Sequence, residues 1–245
     1  MRKKEFAARV WSKLVAHEKR QVLLPQGRRV LVAVSGGPDS VCLAHFLTQM
    51  GRRNGLTLEL FHIHHGLRGR AADADLKSVQ RLGRLLGVPV QIARADVKGV
   101  AKKRGLGLEE AGRLERYRLL ADRARRGRFD AVATGHQLDD QAETVLLHLL
   151  RGTSLEGLGG IPPRRPLVPG VELIRPLLPL TRAEVREYLR QHALSSREDA
   201  SNRDEKFRRN WVRSKVLPLL EKEAPGVKER LSEIAAKVRS AVGRD

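Results

Sequence analysis

A short apolar run, Arg29-Val-Leu-Val-Ala-Val34, leads directly into Ser35-Gly-Gly-Pro-Asp-Ser40, and helical apolar spacing resumes at Val41. An unalternated, β-branched run is what a parallel strand buried on both faces requires. A strand, a Gly-rich turn and a helix in succession open a β–α–β unit, and the pattern then repeats. Leu56 to Ile63, Val88 to Ala93 and Asp130 to Thr134 are expected as strands. Val41 to Met50, Asp73 to Leu86, Glu109 to Arg126 and Leu138 to Leu150 are expected as helices. Strands alternating with helices of this length define an α/β fold with a doubly wound, mainly parallel sheet. A helix over residues 6–24 precedes it.

The pattern changes at Arg151. Gly152 to Gly170 reads as a long loop, with a short strand near Val171 to Ile174. Thr181-Arg-Ala-Glu184 is a capping box that opens a helix running to about His192. Asn210 to Leu220 and Val227 to Val242 follow as helices. We therefore expect a sheet domain over 1–180 and a small basic helical tail over 181–245. With 245 residues, 41% of them hydrophobic, the chain can bury a sizeable core. No apolar run spans a bilayer, and the basic start lacks the apolar stretch of a secretory signal, so neither a membrane partner nor export is expected. A single cysteine, Cys42, excludes a disulfide framework or a multi-cysteine metal site within the chain and points to a reducing cytoplasm. Lys plus Arg exceed Asp plus Glu by 48 to 28, and the resulting charge of +20 favours a polyanionic partner, RNA, DNA or an anionic membrane surface, with nucleic acid first, against a genome that simply enriches surface arginine.

Five segments carry candidate chemistry. In the first, Gly36, Gly37 and Pro38 let backbone approach a phosphate at a helix N-terminus, and Ser35 and Ser40 can donate hydroxyl hydrogen bonds to it. Asp39 is unsuited to phosphate and suited to magnesium. The loop lacks the Gly-Lys-Ser/Thr of a Walker A loop and the G-x-G-x-x-G of a dinucleotide site. The second, Thr134-Gly-His-Gln-Leu-Asp-Asp-Gln-Ala-Glu-Thr144, sits at a strand's carboxyl end. There Asp140 and Glu143, or Asp139 and Glu143, bring two carboxylates together to hold magnesium or a cationic substrate; acidic residues also simply favour a first helical turn. The third, His62-Ile-His-His-Gly-Leu-Arg68, lacks the surrounding ligands of a zinc site and is expected to line the nucleotide pocket, with His64 facing it and Arg68 available to a phosphate. In the fourth, Arg113, Arg116 and Tyr117 share a helical face; Arg113 either clamps a leaving pyrophosphate or an RNA phosphate, or pairs with Glu109. In the fifth, Arg208, Arg209, Arg213 and Lys215 surround Trp211, which fits RNA phosphate contact with a stacked base and equally a solvated basic helix anchored by the tryptophan.

The Ser35–Ser40 loop resembles the S-G-G-x-D-S signature of PP-loop enzymes, which cleave ATP between its α and β phosphates. Together the H-H-G-L-R, E-E-A-x-R-x-x-R-Y, G-H-x-x-D-D-Q-x-E-T, Arg175-Pro-Leu-Leu178 and D-x-S-N…R-N-x-x-R segments resemble the tRNA(Ile)-lysidine synthetase family, from about Leu31 to Leu220. Gly112 stands where that family usually has alanine. The resemblance implies a PP-loop fold of the adenine nucleotide α-hydrolase type. It implies ATP-dependent ligation of L-lysine to C2 of the wobble cytidine of a tRNA(Ile) with anticodon CAU, releasing AMP and pyrophosphate. It also implies magnesium on Asp39 and Asp140, charge stabilisation by Arg113, lysine handling by Asp140 and Glu143 with help from His136, and tRNA contact by the basic tail. Many relatives carry further C-terminal domains that grip the tRNA. The expectation here is that the tail and the basic loop Lys98 to Arg104 carry binding, with the chain as a homodimer, or that the anticodon region is what is read. A PP-loop tRNA thiolase is the nearest rival, weakened by the lone cysteine. A non-catalytic RNA-binding module is the other.

Overall fold

The structure, a computed structural model, describes residues 2–64, 70–197 and 208–243. Its chain runs α1 (Arg2–Gln21), β1 (Arg29–Ala33), α2 (Pro38–Asn54), β2 (Thr57–His64), α3 (Arg70–Leu86), β3 (Val90–Arg94), α4 (Val97–Arg104), α5 (Leu108–Arg126), β4 (Ala131–Ala133) and α6 (Leu138–Arg151). After these come α7 (Leu155–Leu158), β5 (Arg164–Val168), β6 (Val171–Ile174), α8 (Arg182–Gln191), α9 (Arg208–Trp211), a π-helical turn (Val212–Val216), α10 (Leu217–Glu223) and α11 (Val227–Ala241). The six strands form one sheet in the order β3-β2-β1-β4-β6-β5, parallel except for β5 at the edge.

Strand alternation divides the core. Val30, Val32, Leu60, Ala131, Ala133 and Ile174 face a layer built from α1, α2 and α8, with Leu14, Phe46 and Leu47 among its fully buried side chains. Their neighbours Leu31, Phe61, Val132 and Leu173 face α5, where Leu120 and Ala124 cover them. The sheet is thus covered on both sides, as its unalternated strands require. Val185, Tyr188 and Leu189 of α8 belong to the first layer, so the buried core continues past residue 180. A separate cluster of Ala142, Leu147, Val212 and Leu217 fixes the C-terminal helices on α6.

Three expectations need correction. Residues Lys98 to Arg104 are not a loop but α4: Asp96 caps it by accepting from Gly99 N at 2.9 Å, and Val97 and Ala101 are buried one turn apart beneath a basic surface. The segment 152–170 contains α7 and β5. An edge strand tolerates Pro166, which has no N–H to donate, and its polar sequence Arg-Arg-Pro-Leu-Val hides it from a search for apolar runs. The single helix expected over 210–220 is broken by the π-helical turn. Among the described residues, no helix is long and apolar enough to cross a membrane.

Candidate functional site

The turn after β1 is shaped by its own side chains. Ser40 Oγ accepts from the amides of Ser35 and Gly36, both at 3.2 Å, and donates to the Gly37 carbonyl at 2.9 Å. Ser35 Oγ accepts from Gly37 N at 3.3 Å. Gly36 sits at φ +93°, where a side chain would be strained. The two serines thus hold the loop's backbone, and Pro38 supplies the first helical residue of α2, where its missing N–H costs nothing. Arg197 N donates to the Gly36 carbonyl at 3.0 Å, and a cavity of about 290 Å³ lies between Ser195–Arg197 and Lys77, Ser78 and Arg81 of α3.

Asp39 follows the loop. Its Oδ1 is buried and without a hydrogen-bond partner. Burial first, and the neighbouring charge of Asp140 second, push its carboxyl up to about 7 against the pull of Arg182 and Arg213. The β4–α6 turn presses directly on it. A Cβ on Gly135 would stand 3.1 Å from the Asp39 carbonyl carbon, so only glycine fits this approach without displacement.

The three carboxylates of α6 separate into different environments. Asp139 accepts from the Arg182 amide and from Lys228 Nζ, both at 2.8 Å, and so ties the starts of α8 and α11 to α6. Asp140 closes a capping box with Gln137 N at 3.1 Å and meets Arg209 at 3.1 Å. Burial and Glu143 raise its proton affinity. Glu143 is fully buried within three guanidinium groups: Arg182 at 3.1 Å, Arg209 at 3.0 Å and Arg213 at 2.7 and 3.0 Å. Burial acts to raise its pKa, but the Arg213 hydrogen bonds and the surrounding charges outweigh it and hold the carboxyl below its ordinary value.

The basic cluster of the tail therefore divides. Arg209 and Arg213 turn inward onto Glu143 and Asp140, whereas Arg208, Trp211 and Lys215 are exposed. Trp211, 43% exposed, is not a core anchor. Arg113 lies over the Tyr117 ring, 5.2 Å from its centroid, and among the described residues it makes no ion pair with Glu109. His64 ends β2 with its Nε2 3.5 Å from Asp73 Oδ1. His62 is structural, its Nδ1 2.8 Å from the Val34 carbonyl. His136 Nδ1 lies 3.0 Å from Thr134 Oγ1. Burial, then the charges of Arg175 and Arg209, lower its pKa to about 3, so the ring is neutral. Arg68 and the segment 198–207 lie outside the described residues.

Arg182, Lys228 and Arg175 reach this region without having been singled out by the sequence for a role of their own. Arg175 alone carried a signal, as part of the Arg175–Leu178 motif. Among the described residues no group of three or more His, Cys, Asp or Glu side chains is arranged to hold a metal, so any cation here would rest on the Asp39–Asp140 pair and its ligand's own oxygens. The orphaned Asp39 oxygen fits a hard divalent cation.

A Gly-Gly turn closing the first strand, a β3-β2-β1-β4-β6-β5 sheet and an acidic helix start beside that turn define a PP-loop protein. The PP-loop domain family matches residues 7–220, and the chain belongs to it. The relatives it resembles within that family are named tRNA(Ile)-lysidine synthases. One from Dehalococcoides mccartyi is 41% identical over 89% of this chain and 47% of its own length. Others are from Symbiobacterium thermophilum, 42% identical over 90% of this chain and 45% of its own, and from Chlorobaculum tepidum, 36% identical over 94% and 69%. The chain spans about half the length of most of these curated relatives. A U34-tRNA thiolase from Methanococcus maripaludis superposes with a TM-score of 0.78 over 97% of this chain and 80% of its own. At 20% identity that likeness shows the fold alone.

Proposed function

We propose that this chain is the catalytic region of a tRNA(Ile)-lysidine synthase, acting in the cytoplasm on ATP, L-lysine and a tRNA(Ile) with anticodon CAU. The observation that carries the reading is the Asp39 carboxyl, whose Oδ1 is buried and unpartnered, beside Asp140 where the Gly-Gly turn opens α2. The similarity to named lysidine synthases supplies the substrate class.

In this reading the N-terminus of α2 receives the phosphates of ATP, while the amides of Ser35, Gly36 and Gly37 stay engaged by the two serine hydroxyls that shape the turn. Asp39 and Asp140 would hold magnesium, which when bound neutralises the phosphate oxygens. The cytosine C2 oxygen attacks the α-phosphorus, the bond to the bridging oxygen breaks, and pyrophosphate leaves. The lysine ε-amine then attacks C2, the C2–O bond breaks, and AMP departs with that oxygen. The amine must first lose a proton, and Asp140 is the carboxylate we assign to take it. Glu143 acts through the arginines it holds, as a positioning residue. Neutral His136 can accept or donate one hydrogen bond without adding charge. Arg208, Trp211 and Lys215, with the exposed Lys102, Lys103 and Arg104 of α4, offer the RNA a basic surface.

The test is a labelling assay with magnesium-ATP, radiolabelled L-lysine and transcripts of the CAU isoleucine and CAU methionine tRNAs. We expect label in the isoleucine transcript only. AMP release without label would show a different nucleophile, and no ATP turnover would overturn the catalytic reading. Light scattering on the same sample reads whether a homodimer binds. A thiolase is disfavoured by the chemistry at hand: Cys42 is buried in the α2 core layer and burial pushes its thiol up, away from the thiolate.

A further inference from the structure

Arg175 follows β6, next to the β4 turn that carries His136. It is only 4% exposed, yet among the described residues no carboxylate lies within ion-pair distance. Its Nη1 donates to the Pro162 carbonyl at 2.6 Å, and its Nε is buried without a partner. The Tyr117 hydroxyl, a neutral group, accepts a hydrogen bond from Arg175, and the nearby charges of Arg165 and Arg113 are of its own sign. Arg113 and Arg165 both lie over the Tyr117 ring, at 5.2 and 5.4 Å from its centroid. Holding guanidinium groups on a ring face rather than on a carboxylate fixes them in place while leaving most of their N–H donors available. Arg165 uses one of these, Nη1 to the Pro166 carbonyl at 2.9 Å.

A buried guanidinium facing like charges is costly unless an anion completes the site. We propose that Arg113, Arg165 and Arg175 form a phosphodiester-binding subsite that holds the RNA backbone beside the nucleotide presented to the PP-loop. The inference rests on the reading of an RNA substrate. Position separates this subsite from the phosphates of ATP. The Gly-Gly turn closes β1, whereas Arg175 closes β6, two strands along the sheet on the side away from β2 and His64. Charge separates it from a single carboxylate. One amino acid would neutralise one of three cations, whereas an RNA backbone brings a charge with every nucleotide. The gradient of burial agrees, from exposed Arg113 at the mouth, through half-buried Arg165, to Arg175 at the floor. A base that must leave its stack to expose its C2 oxygen needs its flanking phosphates gripped at such a mouth.

The experiment measures binding of a labelled RNA hairpin with a CAU loop to the full chain, over a range of salt. The variants are Arg113→Met, Arg165→Met and Arg175→Met. A second hairpin carries neutral methylphosphonates on either side of the wobble cytidine. We expect Arg113→Met and Arg175→Met each to weaken binding about tenfold and to lower the salt dependence by about one counterion. The neutral hairpin should bind the unaltered chain as weakly, and the variants should lose nothing further on it. Arg113 is exposed, so its variant keeps the test valid if Arg175→Met fails to fold. Unchanged hairpin affinity with a raised KM for ATP or for lysine would assign the anion to that small substrate and overturn the subsite. Failure of the unaltered chain to bind the hairpin at low salt would overturn the RNA reading itself.

Discussion

At the scale of residues, Asp39, whose Oδ1 is buried, and the fully buried Glu143 are carboxylates with opposite consequences. Asp39 has a folded-state pKa of about 7, above its ordinary 3.8. The folded chain therefore holds that proton more tightly than the unfolded chain does, and stability falls as pH rises between these values. Asp39→Asn removes the buried charge, so without magnesium the variant should melt no lower than the unaltered chain at pH 8. It should also lose the rise in Tm that we expect magnesium and ATP to give the unaltered protein. A fall in Tm without ligands would show that Asp39 is a structural partner. Glu143→Gln should behave in the opposite way. It leaves Arg182, Arg209 and Arg213 without their common anion and should cost about 3–5 kcal/mol in urea unfolding. The sequence displayed both carboxylates, because acidic residues beside a Gly-Gly turn and at a helix start stand out by spacing. It did not display their partners. Arg182 and Lys228 lie 43 and 89 residues from Asp139, and nothing local distinguishes them among 48 Lys and Arg.

At the scale of elements, legibility followed the contrast of the apolar pattern. β1, β2 and α6 carry dense apolar runs, and the expected spans lie within a residue or two of the observed ones. α4 and β5 were missed because their buried positions are few and set among arginine, lysine and proline. The tail divided in a way composition could not foretell. The π-helical turn helps carry Arg213 and Val212 onto α6 while Trp211 and Lys215 stay outside. Val212 is fully buried there, so Val212→Ala should cost about 2 kcal/mol. If the turn positions Arg213, amide exchange across α9 and α10 should speed up and kcat should fall. Faster exchange with unchanged kcat would separate this packing from catalysis.

At the scale of the whole molecule, the buried His17 and the half-buried His45 should set an acid limit. Burial lowers His17 and His45 from 6.5 to about 4. Between those values the unfolded chain binds protons that the folded chain refuses, so stability present above pH 6.5 is lost as pH falls toward 4. Each fully shifted histidine contributes up to about 1.4 kcal/mol per pH unit in that window. His45 meets the Tyr188 hydroxyl at 2.7 Å, joining α2 to α8. A His45→Gln variant should therefore show a flatter decline of Tm between pH 6.5 and 4.5, and an unchanged slope would locate the acid sensitivity elsewhere.

The forked contact of Asp139 makes distant parts of the chain answerable to the site. One oxygen fixes the main chain where α8 starts, and the other fixes a lysine at the start of α11. The next residue, Asp140, is the carboxylate that faces Asp39. The closing helix of the described chain is therefore a buttress for the acidic turn as well as a cover for α6. Alterations at Lys228, 89 residues along the chain from Asp139, would register as defects in the alignment of the acidic turn rather than as simple losses of bulk stability.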